Sequence, residues 1–445
     1  MVTSRGASAA VKDLKNSVEG HSNFLTICEA GGRFTGTESE KLARDYIVGK
    51  MEKYGLVDVH VEPLDYLAWR RGKASLELTD PVRRELDTLS FTYSSSTEPE
   101  GIEADLVFVP DPNRETFLGM ADEIEGKVVL TYVGHGVGPA CQSTHWASAY
   151  GAAALILMAN SFGSRQPAGS CRWNQESFLP VTSVSREDGE FLAGLLQRHE
   201  CVSVRCVLEN HMTKDRTFNV VADVPGTCHG TEEVIIGCHY DGFDIAQSAI
   251  DNASGTAVLM EVARALSRGK HRQERTIRFV WFAAEELGMV GSKAYVESHR
   301  SEMENVVAMM TTDWPGSPAT CGVQQPFREL SVRLEDSLQG QVARISMGLG
   351  MYSDHFPFML AGVPAMWIGG SITGRDLEIY HTVFDTADKV PPKVFRDSSV
   401  LMALAALDLA NAREHPSMHR TEREIRNFLE DEGRSKDLEI EGRWK

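Results

Sequence analysis

The stretch VIIGCHYDGFDIAQSAIDNASGTAVLMEVARAL, residues 234–266, decides the fold. Val234–Gly237 is a short apolar run of the kind that forms a buried strand. His239 and Asp241 follow, and side chains two apart in a strand point to the same face. Asp241 is thereby placed to hold the far ring nitrogen of a metal-bound His239. A loop leads to Asp251, after which Val258, Leu259, Val262 and Leu266 recur at helical spacing. Asp251 thus starts a helix, which is a rigid mount for a carboxylate. Taken singly, a histidine at a strand end and an aspartate at a helix N-cap are ordinary structural residues. They gain chemical meaning only if other parts of the chain bring further ligands.

Outward from this stretch the pattern alternates. NVVADVP (219–225), EVIIGCH (233–239), TIRFVWFAAEE (276–286), NVVAMMTTD (305–313) and VPAMWIGG (363–370) read as strands. Residues 251–268, GSKAYVESH (291–299), PFRELSVRLEDSLQG (326–340) and SSVLMALAALDLA (398–410) read as helices. Such alternation predicts an α/β fold, a mostly parallel mixed sheet with helices on both faces. Ligands of such sheets bind beyond the carboxyl ends of the strands. His239, Glu285, Glu286 and Asp313 all fall there.

Upstream, residues 8–20 read as a leading helix. GGRFTGTESEKLARDYIVGKMEKYGL (31–56) reads as a glycine-rich loop around Arg33 and a helix ended by Gly55. Val57–Pro63 alternates as a strand. Between about residues 68 and 211 the chain turns to short strands: ASLELT (74–79), DLVFVP (105–110), GKVVLTYV (126–133) and LPVTSV (179–184). HWASAYGAAALILMANS (145–161) reads as a helix running into a strand. The expected organisation is a catalytic domain in two pieces, 1–67 and 212–415, with an inserted β-rich domain at 68–211. Residues 416–445 are a charged tail holding one short amphipathic helix and a frayed end.

The chain has 445 residues and a formal net charge of −18. That charge argues against non-specific nucleic-acid binding and against an anionic membrane surface. No apolar window reaches bilayer-spanning length and no signal peptide is visible. The eight cysteines show no zinc-finger spacing. The expected setting is the cytoplasm, with reduced thiols.

Glu285 and Glu286 are neighbours at a strand end and point in different directions. One can bind a metal while the other faces the attacking water as general base. With His239, Asp251, Asp313 and His381 they make a set of imidazoles and carboxylates that suits zinc, with manganese or cobalt as substitutes. A bridging carboxylate with one histidine per ion is the build of a two-metal hydrolase, with the ions about 3.5–4 Å apart. Amide hydrolysis is the reaction such a pair favours.

The order HYD (239–241), DNASG (251–255), EE (285–286), TTD (311–313) and YHT (380–382) resembles the co-catalytic zinc aminopeptidases, a family that includes aminopeptidase Y, bacterial leucyl aminopeptidases and glutamate carboxypeptidase II. GRFTGTESEKLARDYI (32–47) and SDHFPFMLAGVPAMWI (353–368) are similar to that family as well. The resemblance implies the zinc exopeptidase fold and two zinc ions. Asp251 would bridge them, His239 and Asp313 would complete one site, and Glu286 and His381 the other. Glu285 would be the general base and acid, Asp241 would orient His239, and Tyr380 would contact the oxyanion, a packed aromatic being its bland alternative. A cis peptide is expected at Asp251–Asn252. Two departures stand out: Gly242, where many members carry serine, and Asn252, where many carry an acid. Segments 127–136, 147–161 and 173–185 are similar to a protease-associated domain, which in relatives covers the active-site cleft.

The resemblance implies an exopeptidase, foremost an aminopeptidase, acting on a small peptide or amide as monomer or homodimer. An amidohydrolase for N-acyl or aryl amides and a carboxypeptidase share the same metal site. For the carboxypeptidase, Arg375 is the candidate carboxylate partner. Non-enzymatic receptor relatives lose metal ligands, whereas every ligand position is filled here. Glutaminyl cyclases share the fold but lack the inserted domain.

Overall fold

The computed structural model describes residues 5–134, 138–163, 165–228, 230–268, 273–315, 322–326, 328–338, 344–370, 376–412 and 419–444. At its centre four parallel strands lie in the order Thr276–Phe282, Glu233–His239, Val306–Thr312 and Ala365–Gly369. Every residue of Glu233–His239 and of Val306–Thr312 is buried. Alternate side chains serve two different cores. Val234, Ile236 and Cys238 pack with the helices Ser254–Arg268 and Lys393–Ala410. Ile235, Val280, Phe282 and Met309 pack with Val290–Ser298 and His355–Leu360. The period of two therefore places helices on both faces, as parallel strands require.

Shorter strands extend one flank. Gly322–Gln325 runs antiparallel to Ala365–Gly369 and parallel to Arg344–Met347. Sequence reading had no strand at either place, because GVQQ and RISM are short and carry little alternation. The helix Glu38–Tyr54 falls where expected. Thr37 caps its start by accepting from the Glu40 amide, and Gly55 ends it in the left-handed conformation (φ 83). A second helix, Glu19–Glu29, follows the leading helix Arg5–Asn16.

On the other flank two strands are much longer than expected. Val57–Asp80 pairs antiparallel with Ser203–Val224, from Val57 opposite Asp223 to Asp80 opposite Ser203. The expected boundaries near residues 68 and 211 fall inside these two strands. A register shift between Arg71 and Ala74 marks the passage from one unit to the other. There Gly72 lies so close to the opposite strand that a Cβ would come 2.1 Å from the Glu209 carbonyl.

Beyond that point Ile102–Phe108, Val128–Tyr132, Ala154–Met158 and Val181–Val184 form a parallel sheet, with Leu89–Ser90 antiparallel at its edge. The helices Gly138–Ala149 and Arg186–Leu196 accompany it. The second of these lay in a stretch read only as strands and turns, although Ser185 caps it by accepting from the Asp188 amide.

The tail also differs from expectation. Glu422–Asp431 is the predicted amphipathic helix, but Ser435–Ile440 forms another, and Leu438, Glu441 and Arg443 are buried. The reason is a paired charge: Arg443 Nη1 meets Glu441 Oε2 at 3.0 Å, and the guanidinium lies over Trp173 and Phe356. Among the described residues, no helix is long and apolar enough to cross a membrane.

Candidate metal centre

The parallel register sets Phe282 beside His239, so the segments that follow these strands emerge at one end of the sheet. Glu285 and Glu286 come just after Phe282, and Asp313 directly after Thr312. Asp251 lies in the irregular turn Ala249–Ala253 that opens into the helix Ser254–Arg268, and its peptide bond to Asn252 is cis, as expected. His381 follows the short helix Asp376–Ile379. Ser248, Ala284, Trp314 and His381 itself adopt left-handed backbone with φ between 47 and 57. Such conformations are costly for residues other than glycine and gather at functional sites.

The geometry divides around Asp251. Its Oδ1 lies 3.2 Å from His239 Nε2, which is 3.4 Å from Asp313 Oδ1. Its Oδ2 lies 3.1 Å from His381 Nε2, which is 3.4 Å from Glu286 Oε2. Two buried sets of three donors result, His239–Asp251–Asp313 and Asp251–Glu286–His381, sharing one carboxylate. Tetrahedral zinc with bonds of about 2.0–2.1 Å separates its ligand atoms by roughly 3.3 Å, so these contacts suit such an ion. Glu286 Oε1 is buried without a hydrogen-bond partner among the described residues, which fits a carboxylate that faces a cation.

A layer of residues orients the donors. Asp241 Oδ1 lies 3.5 Å from His239 Nδ1 and accepts the Glu285 amide at 3.1 Å. Its Oδ2 accepts the Glu286 amide and the Thr35 hydroxyl. One carboxylate thus ties a histidine to both glutamates. Asp385 accepts the amides of Ile250 and Asp251 at 2.7 and 3.2 Å. Arg33, fully buried, donates to the carbonyls of Gly31, Tyr240, Gln247 and Ser248, which fixes the loop before Asp251. Thr35 and Asp385 were missed as site residues, although Thr35 lies in the quoted stretch 32–47 and Asp385 three residues beyond YHT (380–382). Asn252 is structural here: its amide donates to Thr312 O and its Oδ1 accepts from the Gly255 amide.

Electrostatics sets Asp251 apart from Glu285, Glu286 and Asp313, all of which burial pushes upward. Burial raises the Asp251 carboxyl, but hydrogen bonds from His239 and His381 outweigh that and hold it below the usual carboxylate range. Glu285 is pushed well above that range by burial, with Asp354, Asp313 and Asp251 adding to the push and His239 opposing it. Tyr380 packs edge-on against Trp314 and lies over the His381 ring. Its hydroxyl pKa is pushed up by burial and by Asp251, Glu286, Glu285 and Asp313. The sequence-predicted residues Asp241, Glu285 and Tyr380 are therefore gathered around the two donor sets. Arg375 lies outside the described residues.

Residues 219–406 match Peptidase family M28. Carboxypeptidase Q of Xenopus laevis is 28% identical over 299 residues, which are 65% of this chain and 63% of that protein. Aminopeptidase YwaD of Bacillus subtilis is 27% identical over 410 residues, covering 89% of this chain and 85% of that one. The crystal structure of a peptidase M28 precursor from Shewanella amazonensis superimposes with a TM-score of 0.81 at 23% identity, over 93% of this chain and 97% of the other.

Proposed function

Because residues 219–406 match Peptidase family M28, we propose that this chain is a dinuclear zinc exopeptidase that removes the amino-terminal residue from small peptides. The observation that carries this reading is Asp251, with one oxygen turned to His239 and the other to His381. His239 and Asp313 would hold one ion, Glu286 and His381 the other, and Asp251 both. Such a pair polarises the scissile carbonyl and acidifies the attacking water.

The remaining steps belong to side chains. Glu285 takes a proton from the water and returns it to the leaving amine. Its upward pKa shift favours that return, and cations in the donor sets oppose the shift. Asp241 keeps His239 in the orientation that presents Nε2 to the site. Tyr380, kept protonated by its raised pKa, donates its hydroxyl to the developing oxyanion. The insert between the two long strands is read as a protease-associated-like unit that walls the cleft.

A carboxypeptidase is the second reading, and Lys293 favours it. Its ammonium sits 5.2 Å from the Trp173 ring, with Glu285 near enough to act on its charge. Burial, with Arg443 nearby, lowers its pKa to about 8.

Two experiments test the proposal. Glu285→Gln is expected to retain metal and lose activity by about 10²–10⁴-fold, whereas Asp251→Ala is expected to lose metal. Full activity in Glu285→Gln would remove the base assignment. Aminoacyl anilides are expected to be cleaved and their N-acylated forms not. Hydrolysis of only N-blocked peptides would decide for the second reading.

A further inference from the structure

Glu286 and His381 share one donor set, yet neither sits on the sheet. Glu286 lies in the loop beyond Thr276–Phe282, and His381 in a loop with left-handed backbone (φ 54). His239, by contrast, ends a central strand, and its carbonyl accepts from Thr256. Asp313 directly follows another strand, and its amide donates to Ile368 O in the neighbouring one. One half of the centre is mounted on strands and the other on loops.

The loops are braced from outside the sheet by residues 168–174. The Ala168 amide donates to the His381 carbonyl at 2.7 Å. The Ser170 hydroxyl donates to the Glu286 carbonyl at 2.6 Å. The Asn174 amide donates to the Leu287 carbonyl at 3.0 Å. Packing follows the same line: at Gly288 (φ 110) a Cβ would come 2.5 Å from Trp173 Cβ, so only glycine admits the indole this close.

The brace is itself anchored in the insert. Thr92 exchanges backbone hydrogen bonds with Gly169 and Cys171 at 2.9 and 3.1 Å. Ser183 donates to the Pro167 carbonyl, and from outside the insert, on the long strand Val57–Asp80, the Leu67 amide donates to Asn174 Oδ1. At Gly169 a Cβ would lie 2.7 Å from the Phe91 ring.

We propose that residues 168–174 form a positioning strap for one half of the metal pair. The strap braces Glu286 and His381 in binding geometry, with Asp241 also holding the Glu286 amide, while His239 and Asp313 are carried at strand ends that the strap does not touch. Ser170 is its principal positioning residue, since its hydroxyl donates directly to the carbonyl of the ligand Glu286. The proposal rests on the dinuclear reading above. It makes the two ions unequal in a defined way: the one at Glu286 and His381 depends on the insert and the other does not.

Zinc titration of the metal-free full chain, followed by calorimetry, tests this. The wild type is expected to take two ions. Ser170→Ala leaves the Glu286 carbonyl without its donor and is expected to weaken one site about 10-fold and leave the other unchanged. The loss is expected to persist in an Asp313→Ala background and to vanish in a His381→Ala background. Asn174→Gly tolerates the left-handed backbone at that position (φ 51) and releases the strap at its far end. It is expected to give the same selective loss, and it carries the test if Ser170→Ala does not fold. A wild-type chain that binds fewer than two ions overturns the dinuclear reading and the strap with it. Two ions in the wild type, with the variants weakening both sites equally or neither, overturn the strap alone.

Discussion

Gly242 and Ser248 face each other across the loop that precedes Asp251. A Cβ at residue 242 would lie 2.4 Å from Ser248 Cβ and 2.6 Å from its hydroxyl, and Ser248 holds a left-handed φ of 47. Gly242→Ser is therefore expected to destabilise the fold by about 1–3 kcal/mol. Adding Ser248→Gly is expected to restore most of that loss, because glycine vacates the space and takes this backbone without penalty. Urea unfolding of the single and double variants reads both effects. A single variant as stable as wild type would sink the steric account. The same loop shows what the sequence made legible. His239, Asp251, Glu285, Glu286, Asp313 and His381 could be recognised because most of them close an apolar strand or open a helix. Arg33 and Asp385 act on backbone groups of a loop distant in the chain, and no local pattern encodes such partners. Gly242 stood out only as a departure from the resembled family, since its constraint comes from Ser248 and exists only in the folded loop.

The helix Val290–Ser298 is held to the flank of the sheet at its C-terminal end. His299 stacks on Tyr295 and meets Glu62 of the long strand Val57–Asp80 at 3.0 Å. The hydrogen bond to Glu62 raises the His299 pKa, against partial burial, with Glu302 adding to the rise. A histidine raised in the folded state contributes stability that is complete below its unfolded value, about 6.5, and is lost as pH climbs through the folded value. Glu62→Gln is thus expected to cost about 1 kcal/mol near pH 6 and less at pH 9, as read from urea midpoints at both. A cost that grew with pH would exclude the ion pair as its cause. At this scale the central strands and their helices were legible from their period. The length of Val57–Asp80 was not, because WRRGK interrupts its alternation where the pairing register shifts. The helix Glu19–Glu29 could have been found, since Gly20, Asn23, Phe24, Ile27 and Cys28 keep helical spacing and are buried.

The whole molecule is closed by its last residues. Arg443 and Glu441 are buried together, and Glu441 also accepts from Tyr352 and from Gln142 of the helix Gly138–Ala149. Arg443→Ala strands a buried carboxylate and is expected to cost about 3–5 kcal/mol. Arg443→Met with Glu441→Gln is expected to cost much less, because no uncompensated charge remains. Equal denaturation midpoints for the two variants would show that packing, not charge, fixes the tail. The sequence marked this segment as charged, and the period of its first helix was visible. The burial of its end was not, since an arginine and a glutamate two residues apart look solvated until Trp173 and Phe356 arrive from elsewhere. The paired strands Val57–Asp80 and Ser203–Val224 carry a different consequence. In mechanical terms they are a girder about 70 Å in contour, scored at one point beside Gly72. The unit it carries is joined to the sheet by hydrogen-bonded pairs on both sides of that score, so turning it about Gly72 would tear rungs from the ladder.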